Sequence, residues 1–257
     1  GCPRVLMRSF QPTDAWPDLP PESEILAALR AAFPAARIGG GMVTYFTELN
    51  RRRSAATGLD FVSHTTAPIV HAADDVSVME TLEALPHIAR SVRAIWPGLP
   101  YRVGPSSLAM RSNPYGAALV PNPTRGRMAL SGVDPRQAGL FAAAWTIGYA
   151  AALAAHGVEA LSLHASHGSS GLLATEEAPW RARLPDAVLL PAFHALRALA
   201  GARGAVQRPV AAPKGIAALG WQGDDGPAIA VANLTDEARR VALPGAWRGH
   251  LLDLPQC

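Results

Sequence analysis

Four hydrophobic segments of the chain each end in polar or charged side chains. They cover residues 37–50, 59–68, 100–111 and 158–168. Valine, isoleucine, tyrosine and phenylalanine in these segments favour strands. Segments of helical pattern accompany them at residues 21–33, 72–95, 135–156 and 187–201. The alternation of strand and helix predicts an α/β fold with a parallel sheet, whose polar groups meet at the carboxyl ends of the strands.

The pattern changes after residue 205. Residues 4–10 add a further strand-like segment at the beginning, but the last part of the chain shows only short β-like runs joined by Asp-Gly and Pro-Gly turns. These runs are residues 215–222, 227–235, 239–243 and 250–253. We therefore predict two domains, a (β/α) barrel portion over residues 1–205 and a small antiparallel β-sandwich portion over residues 206–257.

Three consecutive glycines, Gly39 to Gly41, open the segment at residues 37–50. A phosphate-binding loop would need a helix directly after the glycines, and the pattern there is that of a strand. Close packing at the bottom of the barrel, or a β-bulge, is the prediction that fits.

Composition excludes several classes of partner. Of the 257 residues, 49% are hydrophobic and 17% charged, which indicates a folded chain with a sizeable core. The net charge is only +3 and the arginines are scattered, so we expect no nucleic-acid partner. No uninterrupted apolar run of membrane-spanning length occurs, so we expect no membrane association. A cytoplasmic location is a separate expectation. Cys2 and Cys257 match no metal or redox spacing and are predicted to be unpaired thiols.

Three of the barrel segments resemble one bacterial family. Residues 39–51, residues 61–75 (Phe-Val-Ser-His-Thr-Thr-Ala-Pro-Ile-Val-His-Ala-Ala-Asp-Asp) and residues 104–116 resemble the D-apionate lactonases. More broadly, the helix with Leu-Pro-Ala-Phe-His-Ala-Leu-Arg at residues 190–197, followed by Val-Ala-Asn-Leu-Thr at residues 231–235, looks like TIM-barrel retaining glycoside hydrolases with a C-terminal β-sandwich.

The resemblance implies a fold and a reaction. By analogy with the glycoside hydrolases, the strand that ends at His164 is the eighth of a TIM barrel, so we expect only the C-terminal half to two-thirds of the barrel here. The implied activity is hydrolysis of a small sugar lactone, D-apionolactone to D-apionate, in the catabolism of apiose, without a cofactor. The family brings no established catalytic residues to this chain.

Lactone hydrolysis requires a base for water, donors for the oxyanion and an acid for the departing ring oxygen. Glu48, His64 and His164 are the candidates for proton transfer, because a carboxylate and two imidazoles follow strand-like segments. Polar side chains near the same segment ends are candidates for binding the substrate. They are Asn50, Ser106, Arg111, Asn113 and His167.

Structural roles remain open for each of the proton-transfer candidates. Glu48 could instead form a surface ion pair with one of the arginines at positions 51–53, and His64 and His164 could be hydrogen-bonded core histidines. Ser106 lacks the Gly-x-Ser-x-Gly pattern of a serine esterase nucleophile. The pair Asp74 and Asp75 is typical of a helix cap.

Two further alternatives concern the chemistry. A zinc site formed by His64, His164 and His167 would acidify a bound water, but no carboxylate is spaced to complete its ligand set, so we favour a reaction without metal. A retaining glycoside hydrolase needs two carboxylates, and only Glu48 stands at a predicted strand end. The remaining alternative is a barrel that binds sugar acids without turning them over.

Overall fold

The computed structural model describes residues 5–9, 22–53, 55–174, 188–243 and 247–252. Cys2 and Cys257 lie outside these residues. The described residues form two compact units. The first unit contains the residues up to Thr66 together with His87–Ser106 and Gly157–Ser162. The second contains Ala67–Pro86, Ser107–His156 and the residues from Leu163 onward.

Five strands form one sheet in the order β1-β2-β3-β4-β5. They are β1 (Val5–Ser9), β2 (Arg37–Tyr45), β3 (Phe61–Thr65), β4 (Tyr101–Ser106) and β5 (Val158–Leu163). The pairs from β1 to β4 are parallel. This sheet confirms the predicted α/β architecture, because each hydrophobic segment supplies one strand.

Six α-helices occur in the described residues. They are α1 (Glu22–Ala32), α2 (Phe46–Arg51), α3 (Asp75–Glu80), α4 (Leu85–Ile95), α5 (Leu140–Ala154) and α6 (Pro191–Ala200). A 3₁₀ turn at Thr81–Ala84 divides the predicted helix over residues 72–95 into α3 and α4. Asp74 accepts a 2.8 Å hydrogen bond from the backbone N–H of Ser77, which confirms the predicted cap. None of these helices has the length and apolar character needed to cross a membrane.

The triple glycine has the structural role that its pattern predicts. A Cβ atom on Gly39 would overlap the ring of Phe61, and one on Gly41 would overlap the carbonyl oxygen of Ser63. Gly41 also has φ of 142°, a conformation that side chains disfavour. The register of β2 against β3 shifts between Gly41 and Tyr45, so β2 is irregular immediately after the three glycines.

Charged side chains gather near the amino ends of the strands. Arg37 and Arg102 both bind Glu159, at 2.6 and 2.8 Å. Hydrogen bonds from Arg102 and then from Arg37 lower the pKa of Glu159 to about 2. The guanidinium carbon of Arg102 lies 4.2 Å from the ring centre of Phe61, the first residue of β3. This end of the sheet is therefore stabilised by an ion cluster.

The second unit contains a small antiparallel sheet in the order β10-β9-β8. Its strands are β8 (Val206–Arg208), β9 (Ile216–Gly223) and β10 (Gly226–Asn233), and a short pair of strands, β6 (Leu173–Ala174) and β7 (Val188–Leu189), precedes α6. Two predicted strands are confirmed as β9 and β10, whereas residues 239–243 form no strand and β8 was not predicted. Small side chains from two helices and this sheet form a core of Ala143, Ile147, Ala195, Ala217 and Ala232.

A long connection between β4 and α5 is organised around Asn122. The side-chain oxygen of Asn122 accepts from the N–H of Gly126 at 3.1 Å, and its amide nitrogen donates to the carbonyl of Gly126 at 2.8 Å and to Ser131 Oγ at 3.2 Å. Backbone hydrogen bonds join Met110 to Ser131 and Leu130 to Ile69. The connection is thus a folded loop, despite its lack of long helices or strands.

Candidate active site

Glu48 lies in the first turn of α2, immediately after β2. The prediction of a single strand through Glu48 and Asn50 was wrong, because β2 ends at Tyr45 and the chain turns at once into a helix anchored by the buried Leu49. The group nevertheless follows the carboxyl end of a parallel strand, where barrel enzymes place their chemistry.

One carboxylate oxygen of Glu48, Oε2, is buried and has no hydrogen-bond partner among the described residues. A buried acceptor without a partner costs free energy, so native proteins rarely keep one. The oxygen therefore keeps an unused acceptor site, although almost none of its surface is open to solvent. A general base needs such a site, and a water molecule would reach this one after a small movement of the neighbouring groups.

Asn50 occupies the same short helix but is exposed. Its side-chain oxygen accepts a 2.6 Å hydrogen bond from Arg53, which also donates to the Asn50 carbonyl at 3.1 Å. The substrate-binding role predicted for Asn50 would require displacement of this arginine.

His64 lies in β3 with no exposed surface. Its Nδ1 lies 2.8 Å from the carbonyl oxygen of Thr65, and its Nε2 lies 2.7 Å from the hydroxyl of Tyr101. A carbonyl only accepts, so Nδ1 carries the proton and Nε2 accepts from the tyrosine. Burial lowers the pKa of His64 to about 4. The ring is therefore neutral at physiological pH and both of its nitrogen atoms are occupied.

Ser106, the last residue of β4, is also fully buried. Its Oγ accepts hydrogen bonds from the backbone N–H of Thr66 at 3.0 Å and from the Thr66 hydroxyl at 3.2 Å. These bonds join the end of β4 to the segment that follows β3. Ser106 thus lies at the carboxyl ends of two strands, but its hydroxyl already serves this connection.

His164 directly follows β5 and belongs to the second unit. Its φ is 63°, a left-handed conformation that is uncommon outside glycine. Its Nδ1 lies 3.1 Å from the side-chain nitrogen of Gln137, and its Nε2 lies 2.8 Å from the hydroxyl of Thr146. Burial, and then the charge of Arg111, lower the pKa of His164 to about 4.

The other predicted binding residues in the second unit differ in their surroundings. Arg111 is exposed, and its guanidinium donates to the carbonyl oxygen of His164 at 3.2 Å. Asn113 closes a turn, since its oxygen accepts from the N–H of Tyr115 at 2.9 Å. His167 is exposed and contacts the Ser166 hydroxyl at 2.8 Å. Of these residues, only Arg111 is bonded to a predicted catalytic residue.

The histidine environments bear on the zinc alternative. His64 and His164 use both ring nitrogens in hydrogen bonds to protein groups, so neither has a lone pair directed to a metal. Within the part of the chain that the structure describes, no three His, Cys, Asp or Glu side chains are arranged to hold a metal ion.

Sequence reasoning missed two buried polar residues next to His164. Gln137 and Trp145 are 0% and 1% exposed, and Gln137 Oε1 and Trp145 Nε1 have no hydrogen-bond partner among the described residues. The only sequence signal is a polar side chain beside a strongly apolar helix. Tyr101, the partner of His64, was included in a predicted strand but given no functional role.

A cavity in the second unit lies elsewhere. It is lined by residues of α3, α5, β9 and the segment after β10, including Phe141, Ile216, Leu234 and Arg239. None of the predicted site residues lines this cavity.

Comparison with known proteins identifies the family. Residues 1–204 match a family model described as the TIM barrel domain of D-apionate lactonase, and residues 213–256 match one described as its C-terminal immunoglobulin-like domain. The D-apionate lactonase of Brucella anthropi is 47% identical over 202 residues, which cover 79% of this chain and 32% of that protein. The chain thus spans about a third of the length of that relative. By these matches, the chain belongs to the D-apionate lactonase family.

Proposed function

We propose that this chain contributes to a sugar-lactone hydrolase that converts D-apionolactone to D-apionate. Family membership supports this reaction, as does the name of the Brucella anthropi relative. The structural observation that carries the proposal is the buried oxygen of Glu48 after β2, for which the described residues offer no hydrogen-bond partner. We also propose the division into a barrel portion, residues 1–205, and a β-sandwich portion, residues 206–257.

Glu48 acts as the general base. Its carboxylate takes a proton from water while the water oxygen bonds to the lactone carbonyl carbon. The tetrahedral intermediate then collapses, the bond from carbon to ring oxygen breaks, and the ring oxygen receives the proton held by Glu48. The sum is addition of one water to one lactone, which gives the hydroxy acid.

The two buried histidines fit this reaction in their neutral forms. Each ring has a pKa of about 4, so both imidazoles are almost entirely unprotonated at neutral pH. His64 and His164 therefore assist by holding neighbouring groups in place, and proton transfer falls to Glu48. Arg111, an exposed arginine of the second unit, carries a positive charge that would favour binding of the carboxylate of the product, D-apionate.

The glycoside hydrolase alternative has less support. The residue that ends β4 is Ser106 where that chemistry would use a carboxylate, and Asp74 is engaged as a helix cap. The cytoplasmic location stays a prediction, which cell fractionation would test.

The test uses the full-length protein that contains this chain. D-Apionolactone is added in weakly buffered solution and the alkali needed to hold the pH is recorded. We expect consumption well above that of buffer alone. If folded protein gives no acceleration but hydrolyses aryl glycosides, the glycosidase alternative replaces the proposal. If it binds D-apionate and turns over neither substrate, the barrel only binds sugar acids.

A further inference from the structure

The hydrogen bonds around His164 determine which ring nitrogen carries the proton. The hydroxyl of Thr146 lies 2.6 Å from the carbonyl oxygen of Ala142 and donates its only proton there. Its oxygen must therefore accept from His164 Nε2, which requires a proton on that nitrogen.

Gln137 fixes the opposite side of the ring. Its side-chain nitrogen donates to the carbonyl oxygen of Gly171 at 3.0 Å. If the amide were flipped, its own oxygen would face this carbonyl oxygen, so the orientation is fixed. The same nitrogen faces His164 Nδ1 at 3.1 Å and donates to it. A proton on Nδ1 would point at this N–H group. The network thus disfavours protonation of His164 by its geometry.

Gln137 also closes the loop that follows β5. The loop runs from His164 to Gly171, and its ends are joined by hydrogen bonds from Ala165 N–H to Ser170 and from Leu172 N–H to Ala165. Because Gln137 contacts both His164 and Gly171, one amide group holds the two ends of the loop. The left-handed backbone of His164 is maintained by this surrounding structure.

The carbonyl group of His164 is the point of contact with Arg111. Its direction depends on the backbone conformation of His164, so the ring network and the arginine are coupled through one residue. The guanidinium retains other donors and remains exposed, as a group that binds a carboxylate must.

We propose that His164, held by Gln137 and Thr146 as the neutral Nε2–H tautomer, is a positioning residue that orients Arg111, and that Arg111 binds the carboxylate of the sugar acid. This inference rests on the proposed function for the identity of the ligand. The sequence predicts His164 as a proton-transfer group, whereas here it orients the guanidinium of Arg111. Gln137 and Thr146 join the residues that support the site.

The first test needs no variant and no activity. A ¹⁵N-edited NMR spectrum of the histidine side chains, recorded at pH 7 on the full-length protein, should show His164 as the Nε2–H tautomer. His64 provides an internal control, since its bond to Thr65 requires the Nδ1–H tautomer. A protonated His164, or one with its proton on Nδ1, overturns the inference.

The second test measures binding of D-apionate by calorimetry. Arg111→Lys and His164→Asn should each weaken binding about tenfold or more, as expected for the loss of a charge-assisted hydrogen bond. Asparagine tolerates the left-handed conformation, which favours a folded variant. Arg197→Lys, an exposed arginine on α6, is the matched control and should leave binding unchanged.

Coupling between the two positions decides the outcome. The affinity of the double variant for D-apionate should be no lower than that of the single variant with the lower affinity, because both changes remove the same interaction. Additive losses, or loss through Arg111→Lys alone, contradict a positioning role for His164. Absence of D-apionate binding by the folded wild-type protein removes the assignment of Arg111. Binding without lactone turnover supports the inference while it refutes the proposed hydrolysis.

Discussion

The hydroxyl of Tyr101 lies 2.7 Å from Nε2 of His64, and neither side chain has exposed surface. The bond has a definite direction, since Nδ1 of the same ring donates to the Thr65 carbonyl and leaves Nε2 as the acceptor. The rings of Tyr101 and His64 are also stacked, with their centres 5.7 Å apart. This pair connects β3 to β4 inside the first unit.

Removal of the tyrosine hydroxyl should destabilise the protein. In Tyr101→Phe the ring is kept but His64 Nε2 becomes a buried acceptor without this donor, at a cost of about 1–3 kcal/mol in the free energy of unfolding. Urea denaturation followed by circular dichroism measures the change. Tyr115→Phe is the control, since Tyr115 is 67% exposed, and should alter stability by less than about 0.5 kcal/mol. Equal effects of the two variants would contradict the importance of the buried bond.

Stability should fall as the pH drops from about 6.5 towards 4. His64 and His164 have pKa values of about 4 in the folded protein, below the ordinary histidine value of 6.5. In this window the unfolded chain binds more protons than the folded one, so acid favours unfolding. Each histidine contributes up to about 1.4 kcal/mol per pH unit. Urea midpoints measured between pH 4 and 7.5 test this.

His164→Asn should make the stability of the protein depend less steeply on pH. The variant retains only one of the two histidines whose pKa is lowered on folding, so less stability should be lost between pH 6.5 and 4. His87→Asn serves as the control because His87 lies on the exposed face of α4 beside Arg90. An unchanged slope in His164→Asn would show that His164 titrates equally in the folded and unfolded states.

Glu48→Gln should separate activity from stability. The substitution keeps the shape of the side chain but removes its ability to take a proton, so kcat for lactone hydrolysis should fall by about 10²- to 10⁴-fold. Because the buried oxygen of Glu48 has no hydrogen-bond partner in the described part of the chain, loss of its charge should leave the unfolding free energy unchanged or slightly higher. Kinetics and urea denaturation are measured on the same preparation of full-length protein.

Glu24→Gln on the exposed surface of α1 is the comparison for this experiment. It should retain full activity. Retention of activity by Glu48→Gln as well would exclude Glu48 as the base and direct attention to other carboxylates of the full-length protein.

Gly41→Ala should prevent stable folding of the sheet. The added Cβ would overlap the Ser63 carbonyl, and φ of 142° strains any side chain. Gly98→Ala is a matched change, since Gly98 has φ of 80° but an added Cβ atom would meet no non-adjacent described residue within 4 Å. It should cost only about 1–2 kcal/mol, the price of the left-handed conformation. Thermal unfolding of both variants measures the difference, and similar losses would mean that the contact with Ser63 adds nothing.

The sequence was most informative where one periodicity dominated. The parallel strands, the cap at Asp74 and the close packing of Gly39 all follow from local patterns that the surroundings reinforce. Helix α2 was missed because Tyr45 and Phe46 continue the β-prone pattern of β2, while the turn into a helix depends on burial of Leu49 in the folded unit. Such burial depends on tertiary contacts, which secondary-structure propensity does not describe.

The candidate site was predicted as a set of residue types, but its hydrogen bonds were not predictable. His164 is 27 positions from Gln137 and 18 from Thr146, and His64 is 37 positions from Tyr101. A sequence pattern identifies a histidine after a strand, whereas its protonation depends on these distant partners. The three-dimensional structure was therefore needed to show that His64 and His164 are neutral at physiological pH.

The hydrogen bonds of the loop organised around Asn122 restrict its movement. Its hydrogen bonds to Gly126 and Ser131, together with the contact between Leu130 and Ile69, tie the loop to itself and to the segment after β3. We expect a segment held in this way to resist protease cleavage and not to move as a hinged lid. Ligand binding near it would involve little ordering of the chain, so affinity would be reduced little by lost conformational entropy and association would not wait for a slow closing step.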